Sequence, residues 1–152
     1  MPDAASDPSG DSSRDPDIGL RLAAAHRRAD RLFNQAYRHL DISNAHAQIL
    51  HTVLDFGEMR IVDIARRTGL EASTVGRLAK ELGRRRLLKR RADPRDARAR
   101  MLSAGSRAHD LRTELDLLRE GVNRRLRALV AGPDEGAPSK LADTLDRLED
   151  LP

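Results

Sequence analysis

The sequence predicts a mainly α-helical fold with one small β-hairpin, on three observations. Apolar residues recur at three- and four-residue steps through most of the chain; two short apolar segments flank Pro and Asp turn residues around residue 94; and the 152 residues are 39% hydrophobic and 34% charged, a balance suited to helices with one apolar stripe and much exposed surface. A chain of this length can bury one ordinary core.

Residues 1–16 offer nothing apolar to bury and are expected to form a disordered acidic tail. From Ile18, the positions Leu22, Ala25, Ala29, Leu32, Phe33, Ala36, Tyr37 and Leu40 fall on one stripe, predicting a long amphipathic first helix. Ser43 is placed to cap a second helix, with Ala47, Leu50, Val53 and Leu54 on one face and Phe56-Gly57 at its end. A short third helix is expected from Ile61 to Arg67, stopped by Thr68-Gly69. A fourth begins around residues 72–74, carries Val75, Leu78 and Leu82, and weakens at Gly83. Leu87-Leu88 and Met101-Leu102 flank Asp93-Pro94-Arg95-Asp96, which predicts a hairpin, and Pro94 blocks the alternative of one basic helix from 72 to 100. After Gly105 a second long helix is expected, with Leu111, Leu115, Leu118, Val122, Leu126 and Leu129 in its stripe. A final helix with Leu141, Leu145 and Leu148 follows the loop at 132–136.

The formal charge of +4 is unevenly distributed. Residues 1–17 carry −4, whereas residues 60–100 hold fourteen Lys and Arg against five Asp and Glu, a net of +9. Such a segment is the electrostatic footprint of a nucleic-acid surface. The absence of Cys excludes disulfides, thiol catalysis and thiolate zinc sites. No apolar run approaches the ~18 residues of a membrane span, and the acidic N-terminus lacks the pattern of a secretory signal, so no membrane partner and a cytoplasmic location are expected. With so few aromatic residues, stacking on single strands is disfavoured and duplex DNA is the expected partner.

Ile61 to Leu82 has the form of a helix-turn-helix. Ala65 is small where two helices cross, Gly69 supplies the turn, and Leu70, Val75 and Leu78 fill the angle between the helices. The opposite face of the second helix then offers Ser73, Thr74, Arg77, Lys80 and Arg84. Arg pairs with guanine O6 and N7 as a fork, Ser and Thr reach bases or phosphates, and Lys binds phosphate. Gly76 costs the helix roughly 1 kcal/mol against Ala, and either close approach to DNA or neutral drift accounts for it. The hairpin would be a wing carrying Arg90, Arg91, Arg95, Arg98 and Arg100 toward a minor groove.

Ile61-Val62-Asp63-Ile64-Ala65 with Thr74-Val75-Gly76-Arg77-Leu78, then Arg90 to Arg98 with Asp93-Pro94-Arg95-Asp96 at its centre, then Leu102-Ser103-Ala104-Gly105, resemble the MarR family of winged-helix transcription regulators, from about Leu22 to Leu148. The segment from Asp96 to Leu102 is shorter than the family's usual wing, and Ser103 stands where Thr is common. The resemblance implies an obligate homodimer, with residues 17–42 and 105–152 as a helical dimerisation domain and 43–104 as the winged helix-turn-helix DNA-binding domain. It implies that the helix from Ser73 to Arg84 reads the major groove and that Arg98 reaches the minor groove, oriented by Asp96. It also implies a small-molecule effector near Leu40, His46 and Leu50. A dimer follows independently from the three apolar stripes, which exceed what one helix-turn-helix core covers.

The expected function is therefore a homodimeric, sequence-specific regulator of a pseudo-palindromic operator, a repressor relieved by an effector. The alternative is a winged-helix protein-interaction or nucleoid-structuring module that binds DNA without sequence preference. No cofactor is expected. His46 and His51 are five apart, unsuited to sharing a metal from one helix, so no metal site is assigned. Ser103, His109 and Asp110 form only a nominal triad, because neighbouring helical residues do not face each other, and no catalytic residue is assigned.

Overall fold

The computed structural model describes residues 17–131 and 140–145. The expected tail at 1–16, the loop at 132–136 and Leu148 lie outside the described residues.

The helices form where the apolar periodicity placed them, and the caps explain their ends. Helix α1 (Ile18–Tyr37) starts at Asp17, whose carboxylate accepts the Leu20 N–H at 3.0 Å, and runs into a 3₁₀ turn (Arg38–Leu40) closed by Asp41 at φ 54°. Helix α2 (Asn44–Phe56) opens with a capping box: Ser43 Oγ accepts the His46 N–H, and His46 Nδ1 accepts the Ser43 N–H. Helices α3 (Ile61–Thr68) and α4 (Ala72–Arg84) follow, then α5 (Ser106–Ala131), and residues 140–145 are again helical. Gly83 does not end α4, which continues through Arg84.

The hairpin comprises β2 (Leu88–Asp93) and β3 (Asp96–Ala104), antiparallel with Leu88 opposite Ala104 and Arg90 opposite Leu102. A strand not expected from the sequence, β1 (Met59–Arg60), joins them by pairing Met59 with Leu102, giving the order β1-β3-β2.

One core binds these elements. Ile49, Leu50 and Val53 of α2, Ile64 of α3, Val75, Leu78 and Leu82 of α4, Leu87, Leu102 of β3 and Leu115 of α5 are all buried within it. Each fully buried aliphatic side chain contributes about 1.5–3 kcal/mol relative to exposure. The long helices are less covered. Helix α1 buries only Tyr37, and α5 buries Ala108, Leu115 and Val122 while Leu117 and Leu129 stand 69% and 76% exposed.

A polar seam runs between α2 and α5. Arg112 donates to the Leu54 carbonyl at 2.6 Å and to Asp55 at 2.7 Å, and Arg119 bridges Asp55 and Asp116. Behind it, His51 is buried with Nε2 at 3.2 Å from the Tyr37 hydroxyl, while Nδ1 faces Asp116 at 3.5 Å without a hydrogen bond. The carboxylate favours a proton on Nδ1, so Nε2 accepts from Tyr37. Burial, reinforced by Arg119, lowers His51 to about 4, and burial raises Tyr37 to about 12.

Two outcomes follow. Gly105 lies against the backbone of Arg86 and Leu87, where an added Cβ would sit 2.2 Å from the Arg86 carbonyl oxygen. Gly105→Ala is expected to cost about 3 kcal/mol in chemical denaturation, because backbone and not a side chain must move. For His51, the unfolded chain takes up its proton near pH 6.5 and the folded protein only near pH 4. Stability therefore falls as pH drops through that window, by about 3 kcal/mol in all. His51→Gln should flatten this acid limb of the melting temperature against pH; an unchanged limb would exclude His51 as its source.

Candidate nucleic-acid interface

The rotation of α4 is set by what it buries. Val75, Leu78, Ala79 and Leu82 face the core, so Ser73, Arg77, Lys80 and Arg84 stand exposed on the opposite side, with Thr74 partly so. The turn before it requires Gly69, which adopts φ 68° as the C-cap of α3, and Ala65 and Leu70 pack at the angle between the helices. At Gly76 a Cβ would meet no heavy atom within 4 Å, so no contact inside the protein requires glycine there.

Several of the basic residues of 60–100 are engaged within the protein. Arg60 holds Asp93 and Arg66 pairs with Asp63; Arg91 binds Glu58, Arg100 folds back onto the carbonyls of Ala97 and Ala99, and Arg67 lies over the Phe56 ring at 4.0 Å. Arg91 and Arg100, expected to serve the wing's DNA face, are thus engaged elsewhere. Lys80, Arg84, Arg86, Lys89, Arg90, Arg95 and Arg98 are exposed, and among the described residues none of them enters an ion pair. They occupy the outer face of α4 and the wing, with Arg86 between the two.

Asp93 shapes the wing tip. It is buried, its Oδ1 accepts the Arg95 N–H at 2.9 Å, and its Oδ2 accepts from Arg60 Nε at 2.5 Å, tying the turn to β1. The Arg95 amide, followed by the Arg60 guanidinium, holds its carboxyl below the usual carboxylate range despite desolvation. Asp96 accepts the Arg98 N–H at 2.9 Å, so it acts on Arg98 through the backbone.

Three consecutive arginines close α4 and do different things. Arg84 points outward. Arg86 is exposed at φ 59°. Arg85 turns inward, donating to the carbonyls of Asp41 at 2.5 Å and Leu40 at 2.6 Å, the acceptors left over at the end of the α1 turn. Sequence alone ranked it with the charge run; only the packing of α4 against the α1–α2 corner separates it.

The residues expected to border an effector are packed. Leu50 is fully buried and Leu40 packs against the core, while His46 is held by Ser43 on one side and by Glu81 at 3.1 Å on the other. Among the long helices, open volume lies instead along α1 and α5. A groove of about 550 Å³ runs between Leu32 and Ala36 on α1 and Leu118 and Val122 on α5. A second groove, of about 300 Å³, runs between Leu126 and Val130 and the helical residues Leu141 and Leu145. No group of three metal-ligating side chains occurs among the described residues, and no helix there is long and apolar enough to cross a membrane.

Residues 40–99 match the sequence model of the MarR family. No curated protein matches the chain. Among solved structures, Bordetella bronchiseptica BpsR, whose DNA binding is regulated by 6-hydroxynicotinic acid, superposes with a TM-score of 0.79 at 21% identity, over 90% of this chain and 96% of its own. A MarR variant from E. coli complexed with operator DNA gives 0.75 at 17% identity, over 89% and 94%. CouR from Rhodococcus jostii RHA1, bound to p-coumaroyl-CoA, gives 0.75 at 22% identity, over 90% and 94%. The resemblance read from the sequence is therefore borne out: the segment containing α2 to the wing matches the MarR family, and the chain around it shares the winged-helix fold of MarR regulators.

Proposed function

We propose that this protein is a homodimeric, sequence-specific regulator of transcription that binds duplex DNA and acts as a repressor relieved by a small-molecule effector. The observation that carries the reading is the placement of the outward-facing groups: the unpaired Lys80 and Arg84 beside Ser73, Thr74 and the Glu81-paired Arg77 on α4, and the unpaired Arg95 and Arg98 on the wing beside it. Helix α4 enters a major groove with Arg77 toward base edges, and the wing carries Arg98 toward the adjacent minor groove, its backbone set by Asp96. Residues 43–104 form this reading unit. Residues 17–42 and 105–152 form the dimerisation domain, and the exposed Ile18, Leu20, Leu117 and Leu129 are the apolar surface that a second copy covers.

The comparison proteins support an effector, since BpsR responds to 6-hydroxynicotinic acid and CouR binds p-coumaroyl-CoA. An effector at Leu40, His46 and Leu50 has to open a packed region, and it would act by favouring a conformation in which the two reading helices no longer fit one operator.

Binding to an operator selected from a random duplex library, set against bulk random duplex, tests the reading. Wild type should prefer the operator by roughly 10³-fold or more. Equal affinity for both at physiological salt would leave a DNA-structuring module without sequence preference. Arg77→Ala should relax base preference at a cost of about 1–3 kcal/mol, whereas Arg98→Ala should weaken all duplexes more uniformly.

Salt dependence separates the neighbouring arginines. Each phosphate contact contributes about −0.9 to the slope of log K against log salt, so Arg84→Ala should make the slope shallower by about one. Arg85→Ala should leave the slope unchanged and lower thermal stability instead. A shallower slope for Arg85→Ala would place that residue on the DNA.

A further inference from the structure

Arg77 does not stand alone on the groove face of α4. Its Nη1 donates to Glu81 Oε1 at 2.9 Å, one turn along the helix. The other oxygen of the same carboxylate, Oε2, lies 3.1 Å from His46 Nε2 on α2. The imidazole is itself fixed from behind: the Ser43 N–H reaches Nδ1 at 3.2 Å and Ser43 Oγ lies 2.9 Å from it. A ring nitrogen that accepts an amide N–H carries no proton, so the single proton of the neutral ring sits on Nε2, aimed at Glu81. Ser43, His46, Glu81 and Arg77 thus form a polar chain from the N-terminus of α2 to the outer face of α4.

This differs from an ordinary surface pair. An exposed ion pair at i and i+4 gains little, because two long side chains must be immobilised to make it. Here one partner is immobilised already, from a different helix. Arg77 commits only one of its nitrogens to Glu81, and the rest of its fork stays available to an acceptor pair such as guanine O6 and N7. Glu81 also sets a negative charge on a face that would otherwise attract any phosphate. A surface that bound DNA by charge alone would gain from losing it.

We propose that Glu81, anchored by His46, is a specificity-determining positioning residue: it holds the Arg77 guanidinium for base reading and penalises contact with DNA of the wrong sequence. The proposal rests on the reading of Arg77 as a base-contacting residue, and the experiment separates the two. Affinities for the selected operator and for random duplex are measured for wild type, Glu81→Ala, Arg77→Ala, the double variant and His46→Gln, each checked by thermal unfolding. Glutamine at position 46 can still serve the capping box while giving up the imidazole, so α2 should stay intact.

Glu81→Ala should reduce the ratio of operator to random affinity by about tenfold, with random-duplex affinity equal to or above wild type. His46→Gln should move the ratio the same way by less. The double variant should be no less specific than Arg77→Ala alone, because Glu81 acts through Arg77. An unchanged ratio in Glu81→Ala, or a loss that simply adds to that of Arg77→Ala, overturns the proposal. If Arg77→Ala keeps the full preference, the base-reading role of Arg77 falls instead, and the positioning role with it. A general loss of affinity for both duplexes in Glu81→Ala would show a structural part only, and would equally overturn it.

Discussion

Everything on the basic face depends on the burial of one helical stripe. Val75, Leu78, Ala79 and Leu82 lock α4 into the core between α2, α3 and the start of β2, and with that stripe inside, the 3.6-residue repeat turns Arg77, Lys80 and Arg84 outward. The hydrophobic effect supplies the energy and has no direction of its own; the periodicity converts it into an orientation. Rotating α4 by a single residue would bury charge and expose leucine, so its register is as firmly held as the core itself. A reading surface needs that rigidity, because hydrogen bonds to base edges tolerate little displacement.

The wing solves a different problem, since a two-stranded ribbon has almost no core of its own. Leu88 and Leu102 anchor its base, and β1 adds a third strand there. Its far end is held electrostatically: Asp93 accepts a backbone amide within the turn and the guanidinium of Arg60 from β1. A buried carboxylate with both oxygens occupied is costly to move, which makes the turn stiff although its neighbours Arg95 and Arg98 are solvent-exposed. Cations on a stiff hairpin lose less entropy on meeting phosphate than cations on a loose one.

Much of this was legible in the sequence, because the long elements obey strong local rules. The helical stripes, the Ser43 cap, the Gly69 turn and the interruption at Pro94 each follow from a property of a few neighbouring residues. What stayed hidden depends on distant partners. Strand β1 is two residues long, too short to show a period, and exists because Leu102 lies opposite Met59. Arg85 is indistinguishable from Arg84 until the carbonyls of Leu40 and Asp41 come within reach, and Arg91 leaves the wing's charge count only because Glu58 is adjacent in space. From the sequence, His46 and His51 stand out only as an unsuited metal pair, with His46 near the implied effector. One completes a capping box and reaches Glu81; the other is buried against Tyr37. The candidate site was therefore visible as a patch of residue types, whereas the division of its cations into those that hold the fold and those that face outward came from tertiary packing.

That division extends to the contacts between the two parts of the fold. The winged-helix part meets the long helices through two kinds of contact. Apolar contacts such as those of Leu115 of α5 in the core are forgiving of small rotations, but the charged ones are not. Arg112 and Arg119 clamp Asp55 at the end of α2, and Arg85 clamps the end of α1 to the end of α4. Charged hydrogen bonds at such a seam contribute modest net stability, because desolvation offsets much of their attraction, yet each is satisfied over only a narrow range of angles. The seam therefore favours one orientation of α4 relative to α1 and α5 more strongly than it favours the folded state as such. Through Arg85 the end of α4 is thus held to the corner between α1 and α2, at the carbonyls of Leu40 and Asp41.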